Sequence, residues 1–86
     1  MYIVVVSYSF DGERPLWIFD TEEEAIDCIR TQFEEEKRIE IEENERALGY
    51  DLRCVIDDDG YYAKIEVDFR NRVEVTEWTI GSIQNR

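Results

Sequence analysis

Carboxylates are the reactive groups this sequence holds in excess. Its 86 residues carry 22 Asp and Glu against 10 Lys and Arg, with no histidine, for a net charge of −12. Paired carboxylates serve as general acid and base only where a cleft desolvates them and separates their pKa values. In so acidic a chain such pairs arise everywhere, so their presence marks no reaction. The one compact cluster is Asp57-Asp58-Asp59-Gly60, which opens like a calcium-binding loop. A helix–loop–helix calcium site needs a bidentate Glu at loop position 12. Counted from Asp57, that position is Asp68, in an expected strand with no flanking helices. An Asp-rich hairpin turn is the expectation, with weak divalent binding as the alternative.

Other chemistries lack their parts. Without histidine there is no imidazole base and no imidazole metal ligand. Ser7, Ser9 and Ser82 have no histidine to activate them and no nucleophile-elbow glycines around them. Cys28 and Cys54 stand 26 positions apart, with no C-x-x-C pair, so free thiols on apolar-patterned segments are expected rather than a zinc site or a disulfide. No phosphate-cradling glycine pattern occurs. The expectation is a protein that is not an enzyme and takes no cofactor and no resident metal.

The elements that position these groups follow from periodicity. Tyr2 to Phe10 alternates with large apolar groups on both faces, Tyr2, Val4, Val6, Tyr8 and Phe10 on one and Ile3 and Val5 on the other, which marks a central strand. Asp11-Gly12 is a turn signal. Leu16 to Phe19 reads as a second, antiparallel strand with Pro15 at its start. Leu52, Cys54 and Ile56, then Ile65, Val67 and Phe69, alternate with polar neighbours around the Asp59-Gly60 turn, and Arg70-Asn71-Arg72 makes the next turn. In the last strand Val73 and Val75 share one phase and Trp78 and Ile80 the other; a bulge near Thr76 or burial on both faces reconciles them. Residues 82–86 read as a frayed end. The fold class is α+β, in the order ββαβββ: an antiparallel sheet of four to five strands with one long acidic helix packed on one face. Residues 1–86 form one domain.

The helix has start and stop signals. Asp20 or Thr21 can cap it, and Thr21 with Glu24 has capping-box spacing. Gly49 suits the C′ position. At 100° per residue Ile26, Ile29, Phe33, Ile41, Ala47 and Leu48 share one arc, with Ile39 roughly opposite, near Cys28. A competing reading ends the helix near Lys37, because Arg38-Ile39-Glu40-Ile41-Glu42 alternates like a strand. A helix running to the Gly49 cap is about 42 Å long and overhangs strands of about 33 Å, so its C-terminal half extends beyond the sheet. From Asp20 to Arg46 there are twelve acids and four bases, a net of −8; the rest of the chain holds ten and six, a net of −4. Glu34, Glu35, Glu36, Glu40, Glu42, Glu43 and Glu45 therefore form the candidate partner-binding row, with Glu34–Arg38 and Glu42–Arg46 as i,i+4 pairs within it.

Eleven residues are aromatic, and most fall at core spacing. Tyr61 and Tyr62 follow a turn, so one of them is expected at the surface. Trp17 or Trp78, where it faces solvent, marks a contact patch. No apolar run reaches about 18 residues, so no membrane span is expected. Ile3 to Val6 is too short for a signal core, which makes the cytoplasm the expected compartment.

Two stretches carry a resemblance: Asp20-Thr21-Glu22-Glu23-Glu24-Ala25-Ile26 at the helix start and Val75-Thr76-Glu77-Trp78-Thr79-Ile80-Gly81 near the end. With them the whole chain resembles short acidic proteins encoded by bacterial prophages and other mobile elements. The resemblance transfers no catalytic or binding residue. It implies an anti-defence role, of the kind played by acidic phage proteins that mimic DNA, several anti-CRISPR proteins among them, and block nuclease or restriction complexes.

These readings converge on a non-catalytic acidic protein-binding module, a phage-encoded inhibitor or DNA mimic, that docks its helix on a basic protein surface. Direct nucleic-acid binding is disfavoured, because phosphates would meet carboxylates rather than release counterions. The alternative is a structural homo-oligomer that pairs through Ile39, the open sheet face or an edge strand, its acids merely solvated.

Overall fold

Strand β1 (Tyr2–Tyr8) turns Val4 and Val6 to one face, where both are buried, and Ile3 and Val5 to the other, where they are half-buried. The computed structural model describes residues 1–9, 12–47, 50–69 and 72–82, without the side chains of 15, 16, 45–47 and 82. The remaining elements are β2 (Gly12–Phe19), α1 (Glu22–Ala47), β3 (Asp51–Ile56), β4 (Tyr62–Asp68) and β5 (Val73–Ser82). The five strands make one antiparallel sheet in the order β2-β1-β5-β4-β3, so β1 is flanked on both sides and β2 and β3 are the edges. The long helix packs on one face, as the α+β reading expects.

The helix begins where its cap predicts. The Glu24 amide donates to Thr21 Oγ1 at 3.3 Å, and the Thr21 hydroxyl donates to Glu24 Oε1 at 2.9 Å. Glu22, Glu23 and Glu24 occupy the first turn, where carboxylates complement the positive helix end. Ala25, Ile29 and Phe33 then meet Val4, Val6, Ala63, Ile65, Val67 and Trp78 in one buried core. Phe33 sets its ring edge-on to Trp78, with centroids 6.2 Å apart at 87°, a geometry worth about 1 kcal/mol beyond area burial. The helix runs unbroken through residues 38–47, so the strand reading of Arg38 to Glu42 fails. Those residues are good helix formers, and Arg38 is tied to neighbours three and four residues away on the same helix.

The turn between β3 and β4 is a hairpin closed by three bonds. Asp57 N donates to Tyr62 O at 2.9 Å, Gly60 N to Asp57 O at 3.0 Å, and Tyr61 N to Asp59 Oδ1 at 3.0 Å. Gly60 has φ +78, and a Cβ there would lie 2.7 Å from Ile26 Cγ2. The residue must therefore be glycine twice over: for its left-handed backbone and because the first helical turns rest directly on the hairpin.

Several expectations are corrected. β1 ends at Tyr8, and β2 starts at Gly12 rather than Leu16. Val4 faces Trp17 while Val5 faces Pro15, so Leu16 is an extra residue. This β-bulge lies in an edge strand, the setting in which an internal proline is tolerated. β5 needs no bulge near Thr76; its ladders run without a shift. Trp78 faces the helix, while Val73 lies exposed on the uncovered face. Tyr61 and Tyr62 are both half-buried, so neither is the exposed tyrosine expected. Ile41 is 40% exposed, outside the core stripe, and Ile39 is half-buried rather than on the polar side. The buried arc runs through Ala25, Ile29 and Phe33, which turns it toward Cys28 and away from Ile41 relative to the expected stripe. The readings of Phe10, Asp11, Leu48, Gly49, Arg70, Asn71 and residues 83–86, and of the side chains of Leu16, Arg46, Ala47 and Ser82, lie outside the described residues. Among the described residues no helix is long and apolar enough to cross a membrane.

Candidate functional site

The row of glutamates divides in two. Helical geometry carries the arc that begins with Ala25, Ile29 and Phe33 on through Glu36, Glu40 and Glu43. Glu36 and Glu40 are accordingly half-buried against the sheet, while Glu34, Glu35, Glu42 and Glu43 are exposed. The Glu45 side chain lies outside the described residues. The single outward ridge expected from the sequence is thus corrected: two of its seven members turn inward.

Their environments differ accordingly. Burial pushes the Glu36 carboxyl above its ordinary pKa, and the charges of Glu43 and Glu35 push the same way. Burial also raises Glu40, followed by the charges of Glu43, Glu36 and, from β5, Glu74. The phenol of Tyr50 donates to the backbone carbonyl of Glu40 at 3.1 Å and stacks obliquely on Phe69, with centroids 4.9 Å apart. This contact ties the C-terminal half of the helix to the end of the sheet. Lys37 lies 5.9 Å over the Phe33 ring and supplies positive charge nearby.

On the outward side, Arg38 bridges Glu35 at 2.7 Å and Glu42 at 3.1 Å. It does not pair with Glu34, as sequence spacing alone suggested, because the i,i+3 contact to Glu35 and the i,i+4 contact to Glu42 use both arms of its fork. The bridge is exposed and screened by solvent, so its contribution to stability is small. Its main consequence is geometric: two carboxylates are held in fixed positions at the cost of one neutralised charge. A shallow depression of about 820 Å³ runs along this side of α1, past Arg30, Glu34, Arg38, Ile41 and Glu42.

A second feature was only partly legible in the sequence. Trp17 is 49% exposed, whereas Trp78 is 3% exposed. From β2, Trp17 and Phe19 face the helix side, with ring centroids 6.4 Å apart at 58°. With Glu24, Asp27, Cys28 and Gln32 of α1 they line an open notch of about 450 Å³. Sequence reasoning named Trp17 as a contact residue conditional on exposure. The facing carboxylates carried no signal beyond their spacing along one flank of the helix.

Cys28 and Cys54 are free and half-buried, and burial raises both thiols above their ordinary values. Among the described residues no group of three or more His, Cys, Asp or Glu side chains is gathered to hold a metal, the Asp57–Asp59 turn included. Compared with protein-family models, curated proteins and solved structures, the chain matches none.

Proposed function

We propose that this chain is a non-catalytic protein-binding module that docks on a basic protein surface through the outward side of α1. The observation that carries the reading is the set of exposed carboxylates at Glu34, Glu35 and Glu42, displayed by a 26-residue helix whose first half is locked to the sheet. Carboxylates fixed to a rigid element act as preplaced charges, which speeds encounter with a cationic partner and makes affinity fall with salt. The resemblance to prophage proteins extends the proposal to an inhibitor that occupies a nucleic-acid groove from a position in the cytoplasm.

The test is affinity capture from a host lysate at low salt, run in parallel with wild type and with Glu34→Lys, Glu35→Lys and Glu42→Lys combined. The reading expects a basic protein held by wild type, lost from the triple variant and released by salt. The same proteins recovered with both baits contradict it.

A second reading has its own observation. Ile18, Val55 and Val73 are exposed on the sheet face that α1 leaves uncovered, around half-buried Ile3, Val5 and Val75. Two copies joined through that face would form the homo-oligomer. Sedimentation at high protein concentration separates the readings, since a strict monomer removes this one.

A further inference from the structure

We infer that the notch between β2 and the first half of α1 is a socket for an arginine side chain of a basic protein partner. The inference rests on the acidic-face reading above, which it deepens by naming the anchor and the place where it enters.

The two walls of the notch differ in chemistry. One is aromatic: Trp17 and Phe19 lie two residues apart on the same face of an edge strand, so both rings project toward the helix. The other is anionic: Glu24 and Asp27, on neighbouring turns of α1, face those rings. Glu24 accepts the Thr21 hydroxyl, and among the described residues Asp27 has no ion-pair partner. A half-exposed indole facing carboxylates recognises a cation through its ring face. Arginine suits this geometry better than lysine. Its guanidinium is planar and weakly hydrated, stacks on an indole, and still offers its fork of N–H donors to a carboxylate. Its methylene stem can cover Phe19 and Cys28.

Charge selects the occupant. A phosphate or an acidic peptide is repelled by Glu24 and Asp27, and a second copy of this chain brings −12 against −12. Thr31 borders both the notch and the outward acidic side, so a partner lying along Glu34, Glu35 and Glu42 reaches the notch without leaving the helix. Trp is also over-represented among residues that dominate binding energy at interfaces.

The experiment is an NMR titration of the isotope-labelled full chain with a blocked arginine–glycine peptide and a lysine–glycine peptide of equal charge. The inference expects the Trp17 indole N–H and the Asp27 and Thr31 amides to shift saturably, with arginine binding at least about fivefold tighter. Trp17→Ala and Asp27→Asn should each weaken binding by about fivefold or more, with unfolding midpoints close to wild type because both side chains are exposed. Shifts confined to Glu34, Glu35 and Glu42 would overturn the socket and leave the acidic-face reading standing. No shift anywhere at low salt would overturn both. Equal affinity for the two peptides would overturn the stacking argument, and Trp17 shifts on concentrating the protein alone would assign the notch to a second copy.

Discussion

Between Ala25 and Phe33 the sheet-facing stripe of α1 is alanine, isoleucine and phenylalanine, all buried; at Glu36 and Glu40 the same stripe is carboxylate and only half-buried. The two halves share one helical period and differ in what that period delivers to the sheet. The first is held by apolar burial, at roughly 1.5–3 kcal/mol for each large side chain. Against the second stands repulsion among Glu36, Glu40, Glu43 and Glu74, offset by the Tyr50 hydrogen bond to the Glu40 carbonyl. The contrast teaches that the anchor and the charged display occupy successive stretches of one helix. The anchoring stretch fixes the direction in which the display points.

Truncation should show the contrast most strongly. Phe33→Ala should cost about 3–5 kcal/mol, the range for large aromatic-to-alanine changes in a core. Ile41→Ala, in the other half and exposed, should cost within about 0.5 kcal/mol. Urea unfolding followed by circular dichroism reads both, and equal losses would erase the distinction. Next comes Gly60→Ala, expected to cost about 2 kcal/mol from its left-handed backbone together with the clash against Ile26. That loss would show that the first half rests on the hairpin as well as on the sheet. Tyr50→Phe removes one hydrogen bond to the second half and should cost about 1 kcal/mol, read from the same unfolding curves.

Glu36→Gln combined with Glu40→Gln should act in the opposite direction. Removing like charges spaced i,i+4 should stabilise the protein at pH 7 by about 0.5 kcal/mol. Both carboxyls titrate above their ordinary values in the fold. The stability they contribute is therefore complete below the unfolded-state pKa and is lost as pH rises through the raised folded values. Wild type and variant should differ most at neutral pH and converge in acid; a gap that widened on acidification would contradict the assignment. At the alkaline end, Tyr62 donates to Glu77 at 2.8 Å, and its phenol is pushed up to about 12, first by burial and then by that bond. Its contribution should fade as pH rises above 10 toward 12, with ultraviolet absorbance tracking the phenolate.

Much of the fold was legible in the sequence. The alternation of Val4 and Val6, of Ile65 and Val67, and the Thr21-x-x-Glu24 cap report local geometry, and local geometry is what periodicity encodes. The phase of the helix was not legible. Large residues placed the stripe near Ile26 and Ile41, whereas the fold buries small Ala25 and leaves Ile41 exposed, a tertiary choice that no local pattern carries. The same rotation decided which glutamates of the candidate site face inward. The bulge at Leu16 was hidden because an extra residue changes register without changing composition. The exposure of Trp17 depended on β2 being an edge strand, and strand order is set by long-range pairing of β1 with β5.

Residue-resolved amide hydrogen exchange along α1 tests most directly whether the acidic half is an ordered display. The account predicts that residues 25–33 exchange only with global unfolding. It predicts that residues 34–46 are less protected but still slowed well below free-chain rates, and gain protection as Glu36 and Glu40 take up protons. Free-chain exchange across 34–46 would contradict it, because carboxylates on a melted segment have no fixed positions to offer a partner.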